Sequence, residues 1–560
     1  MIRRPPRSTQ GVSSAASDVY KRQDRTLSAS SLRRTRGGRG HCRKPIPSRD
    51  RAAELHYAVE TVVKDDVITY GHNMNKTLDR CDILITGGQV IDGTGCPAIT
   101  ADVAVQGDRI IAVGDLTVEK ADAVIDAKDK VITPGFIDVH THDDRLLLSN
   151  PEVTPKLSQG VTTVVVGNCG VSLSPWVSDQ APPPPLDLVI SHKNNSAQFS
   201  TFHSYSAELT RGPPAINALP LIGHSTLRFG AMERLYRPAT QAEIKQMRTL
   251  LRESLAAGAA GFSTGLFYPP NKAAPAAEVE ALARELPAFQ GVYATHMRNE
   301  GDQLFESLDE TFDTARRAGC PVVVSHHKCQ SKAVWGRSAE SLARIEAAAA
   351  EQTVGFDVYP YVAGSTVLLE ELIEPSRRII VTWSTAVPEA GGRDLADIAA
   401  EWDCSLAQAM MRLQPGGGIY FCMEEDDVER ILAHPMGMIG SDGIPHDKHP
   451  HPRLWGTFPR VLGHYSRDRQ LFPLEEAVRK MTGLSAQTFG LAGRGVVQAG
   501  AFGDLVVFDS SRIADSATFE QPTRAAAGID CVIVNGAIAW QAGAGTGSRT
   551  GRLLKNPRTT

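Results

Sequence analysis

The chain has 560 residues, 42% of them apolar and 22% charged, a balance that suits a globular enzyme with one large domain and a smaller one. A formal net charge of -4 gives no basis for nucleic acid or an anionic membrane as partner, and no run reaches the roughly 18 apolar residues that span a bilayer. Nine cysteines without a CxxC pair fit a reducing, cytoplasmic setting better than a disulfide framework.

The first 73 residues stand apart. They are rich in Arg, Ser and Pro, carry basic clusters such as Arg33, Arg34, Arg36 and Arg39, and have no hydrophobic periodicity. Asp18, Asp24, Asp50 and Glu54 argue against an acid-poor transit peptide. The opening, residues 1–23, resembles translated sequencing-adapter read-through, so residues 1–73 read as non-native or disordered, ahead of a start at Met74. A chain beginning at Met74 is expected to fold and act like the full one.

From Cys81 onward the pattern changes. CDILITGGQVIDGTG, ADVAVQGDRIIAVGD and AVIDAKDKVITPG read as β-branched strands between Gly and Asp turns. Similar pieces return near the other end as GDLVVFD and IDCVIVNGAIAW, so residues 74–133 and 496–545 are expected to form one small β-sandwich domain. Between them lie eight apolar runs of strand length: ITPGFIDVHTH, VTTVVVGNC, INALPLIGHST, AAGFSTGL, GVYATHM, CPVVVSHHK, TVGFDVYPY and HPMGMIGSDG. Helical stretches such as EIKQMRTLLRESLAAGA and EVEALARELPAF alternate with them. The pattern predicts an α/β fold, a (β/α)8 TIM barrel over residues 134–495, with 546–560 as a C-terminal tail. The Pro-rich stretch at 181–187 is expected to be a surface excursion, since no central strand accommodates it.

The polar residues closing these runs carry the chemistry. His140 and His142 end the first, Cys169 the second, His296 the fifth, His326 the sixth and Asp442 the eighth. Each alone has a plain explanation: a satisfied polar histidine, a small buried cysteine, an aspartate in a turn. Together they fall at the same structural point of successive strands, the C-terminal mouth where barrel active sites form. Imidazole, thiolate and carboxylate converging there suit zinc. Strand alternation aims His140 and His142 at one ion, and lets only one of His326 and His327 point inward. Lys328, two residues on, shares the face of His326. Arg453 offers a fork that matches a carboxylate in two places. His224 receives no role.

PGFIDVHTHDD, GVTTVVVGNCG, GHSTLR, GAAGFSTGLFYPP, THMRNEGD, SHHK and SDGIPH resemble, in order, the motifs of the amidohydrolase superfamily, and within it the N-acyl-D-amino-acid deacylases. The resemblance runs from about Cys81 to Trp540, and GNCG is its most discriminating part. It implies a tightly held zinc on Cys169, His296 and His326, and a second, weaker position framed by His140, His142 and Asp442. The implied reaction is hydrolysis of an N-acyl-D-amino acid by metal-activated water, with Asp442 as general base and then acid. The substrate is a small molecule whose carboxylate would meet Lys328, Tyr359, Ser365 and Arg453. The D preference follows from the resemblance alone. A cyclic amide hydrolase of the dihydroorotase or hydantoinase type is the first alternative, weakened because no lysine closes the fourth run. A barrel that has lost catalysis is the second, weakened because every expected ligand is present. The segment from Ser365 to about residue 420 is expected to be a mobile lid over the mouth.

Overall fold

The computed structural model describes residues 76–178, 182–186, 199–374 and 377–556, so the segment 1–73 and the start at Met74 lie outside the described residues. Eight parallel strands form one sheet: Phe136–Asp138, Val161–Val166, Asn217–Gly223, Gly261–Gly265, Val292–His296, Val322–Val324, Val354–Val358 and Gly437–Ile439. They are the eight apolar runs read from the sequence, paired in chain order. The sheet closes through a parallel bridge between Thr141 and Gly443, joining the first and last strands. The strands are Val- and Ile-rich and buried on both faces, as a sheet wrapped in helices requires.

Alternate residues fill the barrel interior. Val165, Leu219, Leu221, Val292, Ala294 and Val323 share one apolar cluster, and Ala486, Phe489 and Leu491 join it from a C-terminal segment of the barrel. The intervening residues face the helices instead and belong to the larger outer core. Helix Gln241–Ala256 starts on a capping box in which Thr240 and Glu243 satisfy each other's backbone N–H groups. Helix Leu304–Ala318 ends at Gly319, whose φ of 73° terminates it in the left-handed region.

The two β-rich ends of the chain form a second, nine-stranded sheet, in which Val131–Pro134 links N-terminal strand Lys76–Val90 to C-terminal strand Leu505–Phe508. It is one continuous sheet that curls back on itself. Ile110 N–H donates to Ala501 O at 2.9 Å and Gly503 N–H to Asp108 O at 2.8 Å, so the far edge meets the segment entering Leu505–Phe508. Ile83, Val103, Ile110, Leu505 and Ile533 pack inside the curl.

Three features differ from expectation or extend it. The region expected to act as a lid carries regular structure: Ala363–Val367, Ile379–Ser384 and Gly416–Phe421 form a small antiparallel sheet inserted between barrel strands seven and eight. In the Pro-rich stretch Pro184 is exposed and Pro183 half-buried, as a surface excursion requires, while Pro182, Pro185 and Leu186 are buried; proline rings have no N–H to satisfy and pack readily over apolar ground. The stretch 551–554 lies against Asn217–Gly223, with Ala218 N–H donating to Arg552 O at 2.9 Å and Leu554 N–H to Ala218 O at 2.7 Å. Among the described residues, no helix is long and apolar enough to cross a membrane.

Candidate active site

The six residues read as metal ligands meet at the C-terminal mouth of the barrel, but regular strand alternation is not what aims them. Only His296 is the last residue of its strand; His140, His142, Cys169, His326 and Asp442 lie beyond their strand ends. Three of them take left-handed backbone: Cys169 with φ 52°, His326 with 37° and Asp442 with 50°. Such conformations are costly for residues with a Cβ and persist where surrounding structure enforces them. Around Cys169 the enforcement is visible in GNCG: Gly167 and Gly170 also have positive φ, and a Cβ at Gly167 would lie 2.2 Å from Leu221 O.

Two donor groups result, each with its ligand atoms within 4.8 Å of one another: Cys169, His296 and His326, and His140, His142, Cys169 and Asp442. Cys169 belongs to both. Its Sγ lies 3.7 Å from His296 Nδ1, 3.5 Å from His326 Nε2 and 3.2 Å from His140 Nε2. Asp442 Oδ1 lies 3.2 Å from His142 Nε2 and 3.5 Å from His140 Nε2. Burial opposes ionisation of Cys169, yet the His140 and His326 imidazoles hold its pKa well below the usual thiol range. Burial opposes ionisation of Asp442 too, but Arg453, His142, His326 and His140 keep its pKa well below the usual carboxylate range. Reciprocally, His142 is pushed up to about 9: burial works against it, and Asp442 and Cys169 outweigh burial. A thiolate and a carboxylate thus share a buried space with four imidazoles, a donor set fitted to a divalent cation.

The sequence reading missed the residues behind these ligands. Glu300 Oε1 lies 2.9 Å from His326 Nδ1, and both its oxygens accept from Lys328 Nζ at 2.8 Å, which also lies 2.8 Å from His326 Nδ1. Burial raises the pKa of Glu300, but Lys328, His326 and His296 overcome that and leave it well below normal. Asp357 Oδ1 accepts from the His326 backbone N–H at 2.9 Å, and Oδ2 lies 3.4 Å from His140 Nδ1. Such carboxylates fix the orientation of a ligating imidazole. A signal existed for Glu300, an acid four residues after His296 in THMRNEGD; for Asp357 it was its place two residues before Tyr359.

His327 points away from the site, with Nε2 2.9 Å from Ser341 Oγ on helix Ser338–Ala349, and burial pulls its pKa down to about 3. His224 pairs with Glu278 in a separate buried cluster. Lys328, Tyr359 and Ser365 line one pocket with His296, His326 and Asp442, and Leu372 and Tyr420 of the inserted module form part of its wall. Arg453 is fully buried behind them. Its Nη1 lies 2.9 Å from Asp442 Oδ2, its Nη2 donates to Ser365 O at 3.1 Å, and its guanidinium lies 4.6 Å from the Tyr359 ring centroid. Its charge is therefore set beside Asp442, while Nε and Nη1 find no hydrogen-bond partner among the described residues. Pro185 and Ile444 close a neighbouring pocket over His142, Cys169 and Asp442.

A closed barrel with buried thiolate, imidazole and carboxylate donors at its C-terminal mouth defines a metal-dependent hydrolytic enzyme. The model of the amidohydrolase family matches residues 123–351 and 337–539, and the chain belongs to that family. It is 54% identical to a D-aminoacylase of Alcaligenes xylosoxydans xylosoxydans over 84% of this chain and 97% of the relative. It is 46% identical to an N-acyl-D-glutamate deacylase of the same organism, over 85% of this chain and 97% of the relative. Among solved structures, N-acyl-D-glutamate deacylase from Bordetella bronchiseptica, complexed with zinc and a phosphonate mimic of the tetrahedral intermediate, superposes with a TM-score of 0.82 at 46% identity, covering 85% of this chain and all of that one.

Proposed function

We propose that this enzyme hydrolyses the amide bond of N-acyl-D-amino acids to a carboxylate and a free D-amino acid. The observation that carries this reading is Cys169 shared between two donor groups, in a chain 54% identical to a D-aminoacylase. Cys169, His296 and His326 would hold the tight zinc, and His140, His142 and Asp442 would frame a second, weaker position. Zinc, when bound, supplies Lewis acidity and a water acidic enough to ionise near neutral pH.

The chain's own residues do the rest. Arg453 holds Asp442 Oδ2 and leaves Oδ1 turned toward His140 and His142. Kept ionised, Asp442 accepts the proton of the attacking water and returns it to the leaving nitrogen, which otherwise would depart as an amide anion. Lys328, Tyr359, Ser365 and Arg453 receive the substrate carboxylate. In support, Ser365 Oγ is buried without a protein hydrogen-bond partner and lines the pocket. A cyclic amide substrate is disfavoured because the fourth barrel strand, Gly261–Gly265, contains no lysine to bridge two metals. A cytoplasmic location is supported by the eight described cysteines, all of them free thiols.

The test is zinc content and acetate release on paired N-acetyl-D- and N-acetyl-L-amino acids, with Asp442→Ala beside the parent. We expect at least one zinc per chain, D-selective turnover, and a loss of about 10³-fold or more in kcat for the variant. Bound zinc without turnover on either enantiomer would overturn the substrate reading, and an active Asp442→Ala would overturn the assignment of the base.

A further inference from the structure

We propose that Lys156 is a positioning residue that holds the seam of the barrel and thereby fixes the weaker metal position together with Asp442. The inference rests on the deacylase reading above. Among the described residues, the first and last barrel strands are joined by one bridge, between Thr141 and Gly443. Three of the four residues framing the weaker position, His140, His142 and Asp442, stand on the two sides of this seam. No regular ladder sets their spacing, so something else must.

The side chain of Lys156, on the short helix Thr154–Leu157, is fully buried beneath that seam. Its Nζ donates to Asp138 Oδ2 at 2.7 Å and to Ser441 Oγ at 2.7 Å, and lies 3.4 Å from Asp143 Oδ2. Asp138 ends the first strand and Asp143 follows His142, whereas Ser441 precedes Asp442 beyond the eighth strand. Ser441 is itself a clamp. Its N–H donates to Asp138 Oδ1 at 2.8 Å, and its Oγ accepts from Gly443 N–H at 3.2 Å, spanning the left-handed Asp442. Asp442 N–H in turn donates to His140 O at 2.8 Å.

One ammonium thus ties both sides of the seam around Asp442. None of its partners belongs to the strands that carry Cys169, His296 and His326. A role in general packing would weaken both metal positions; a seam role weakens one.

The experiment is zinc titration of the metal-stripped full chain, beside steady-state kinetics, for the parent, Lys156→Met/Asp138→Asn and Ser441→Ala. The double variant removes the ammonium together with the charge of Asp138, and leaves Asp143 as a buried carboxyl without its cation. We expect first-zinc affinity near the parent's, second-zinc affinity lowered about 10- to 100-fold, and kcat lowered by a similar factor with KM little changed. Ser441→Ala keeps every charge and should shift the same quantities in the same direction by less; it decides the matter if the double variant does not fold. Parental second-zinc affinity in the variants, an equal fall at both positions, or a parent that binds a single zinc would overturn the proposal. A parent without deacylase turnover would defeat the reading of function, while the titration would still decide the role of Lys156.

Discussion

Glu300 shows how much of this site lies behind its ligands. It is buried, lies 2.9 Å from His326 Nδ1, and accepts at both oxygens from Lys328 Nζ, which also lies 2.8 Å from His326 Nδ1. Lys328 therefore lines the pocket as a cation already oriented, and partly balanced, by Glu300. Replacing Glu300 with Gln keeps the shape but removes that charge. We expect tight-zinc affinity and kcat/KM each to fall about 10- to 100-fold, read by metal competition and initial rates. An unchanged zinc affinity would mean that His326 needs no such support. At this scale the sequence was a good guide to which side chains the fold brings together and a poor one to how they are held. His140, Cys169, His326 and Asp442 were legible because they close apolar runs. Their positive φ values, or placement past the strand ends, were not, because alternation applies only while a strand continues.

Among the elements, helices Ala276–Ala283 and His224–Ala231 are joined by a buried cluster. Glu278 accepts from Arg228 and lies 3.1 Å from His224 Nε2, and its Oε2 accepts from Ala239 N–H at 3.0 Å. Burial raises the Glu278 pKa, but His224 and Arg228 outweigh it and pull the group down to about 2. A depressed carboxyl pKa means the stabilisation is complete above the unfolded value near 4.5 and disappears as pH falls toward 2. The shift corresponds to about 3 kcal/mol. Glu278→Gln should therefore lower stability at neutral pH by that order and flatten the acid limb between those values, measured by denaturant unfolding across pH. A parallel pH profile for parent and variant would refute it. GHSTLR was thus legible as a motif, but its histidine serves the scaffold.

For the whole molecule, the curled sheet and the barrel meet at a buried polar junction. Asp504 accepts from Arg494 and from Asn535 N–H at 2.7 Å, and Asn217 Nδ2 lies 3.3 Å from its second oxygen. Asn217 begins the third barrel strand, and Asn535 follows a strand of the other sheet. Asp504→Asn leaves Arg494 buried without its counter-charge, a change that typically costs about 3–5 kcal/mol. We expect a lower Tm by calorimetry with both modules still melting together; an unchanged Tm would show the junction to be dispensable.

The sequence by itself determined the eight barrel strands, their order and the chemical identity of the donors, because apolar period, chain order and residue type are local properties. It also carried the union of the two β-rich ends, since their patterns match. Only the tertiary structure decided which residues stand behind the ligands. Glu300, Asp357, Lys156 and Ser441 act across separations of tens to hundreds of residues, and burial of paired charge depends on what the fold brings together rather than on any neighbour in the chain. The same holds for Arg453, whose charge the fold sets beside Asp442, a pairing that no local pattern announces.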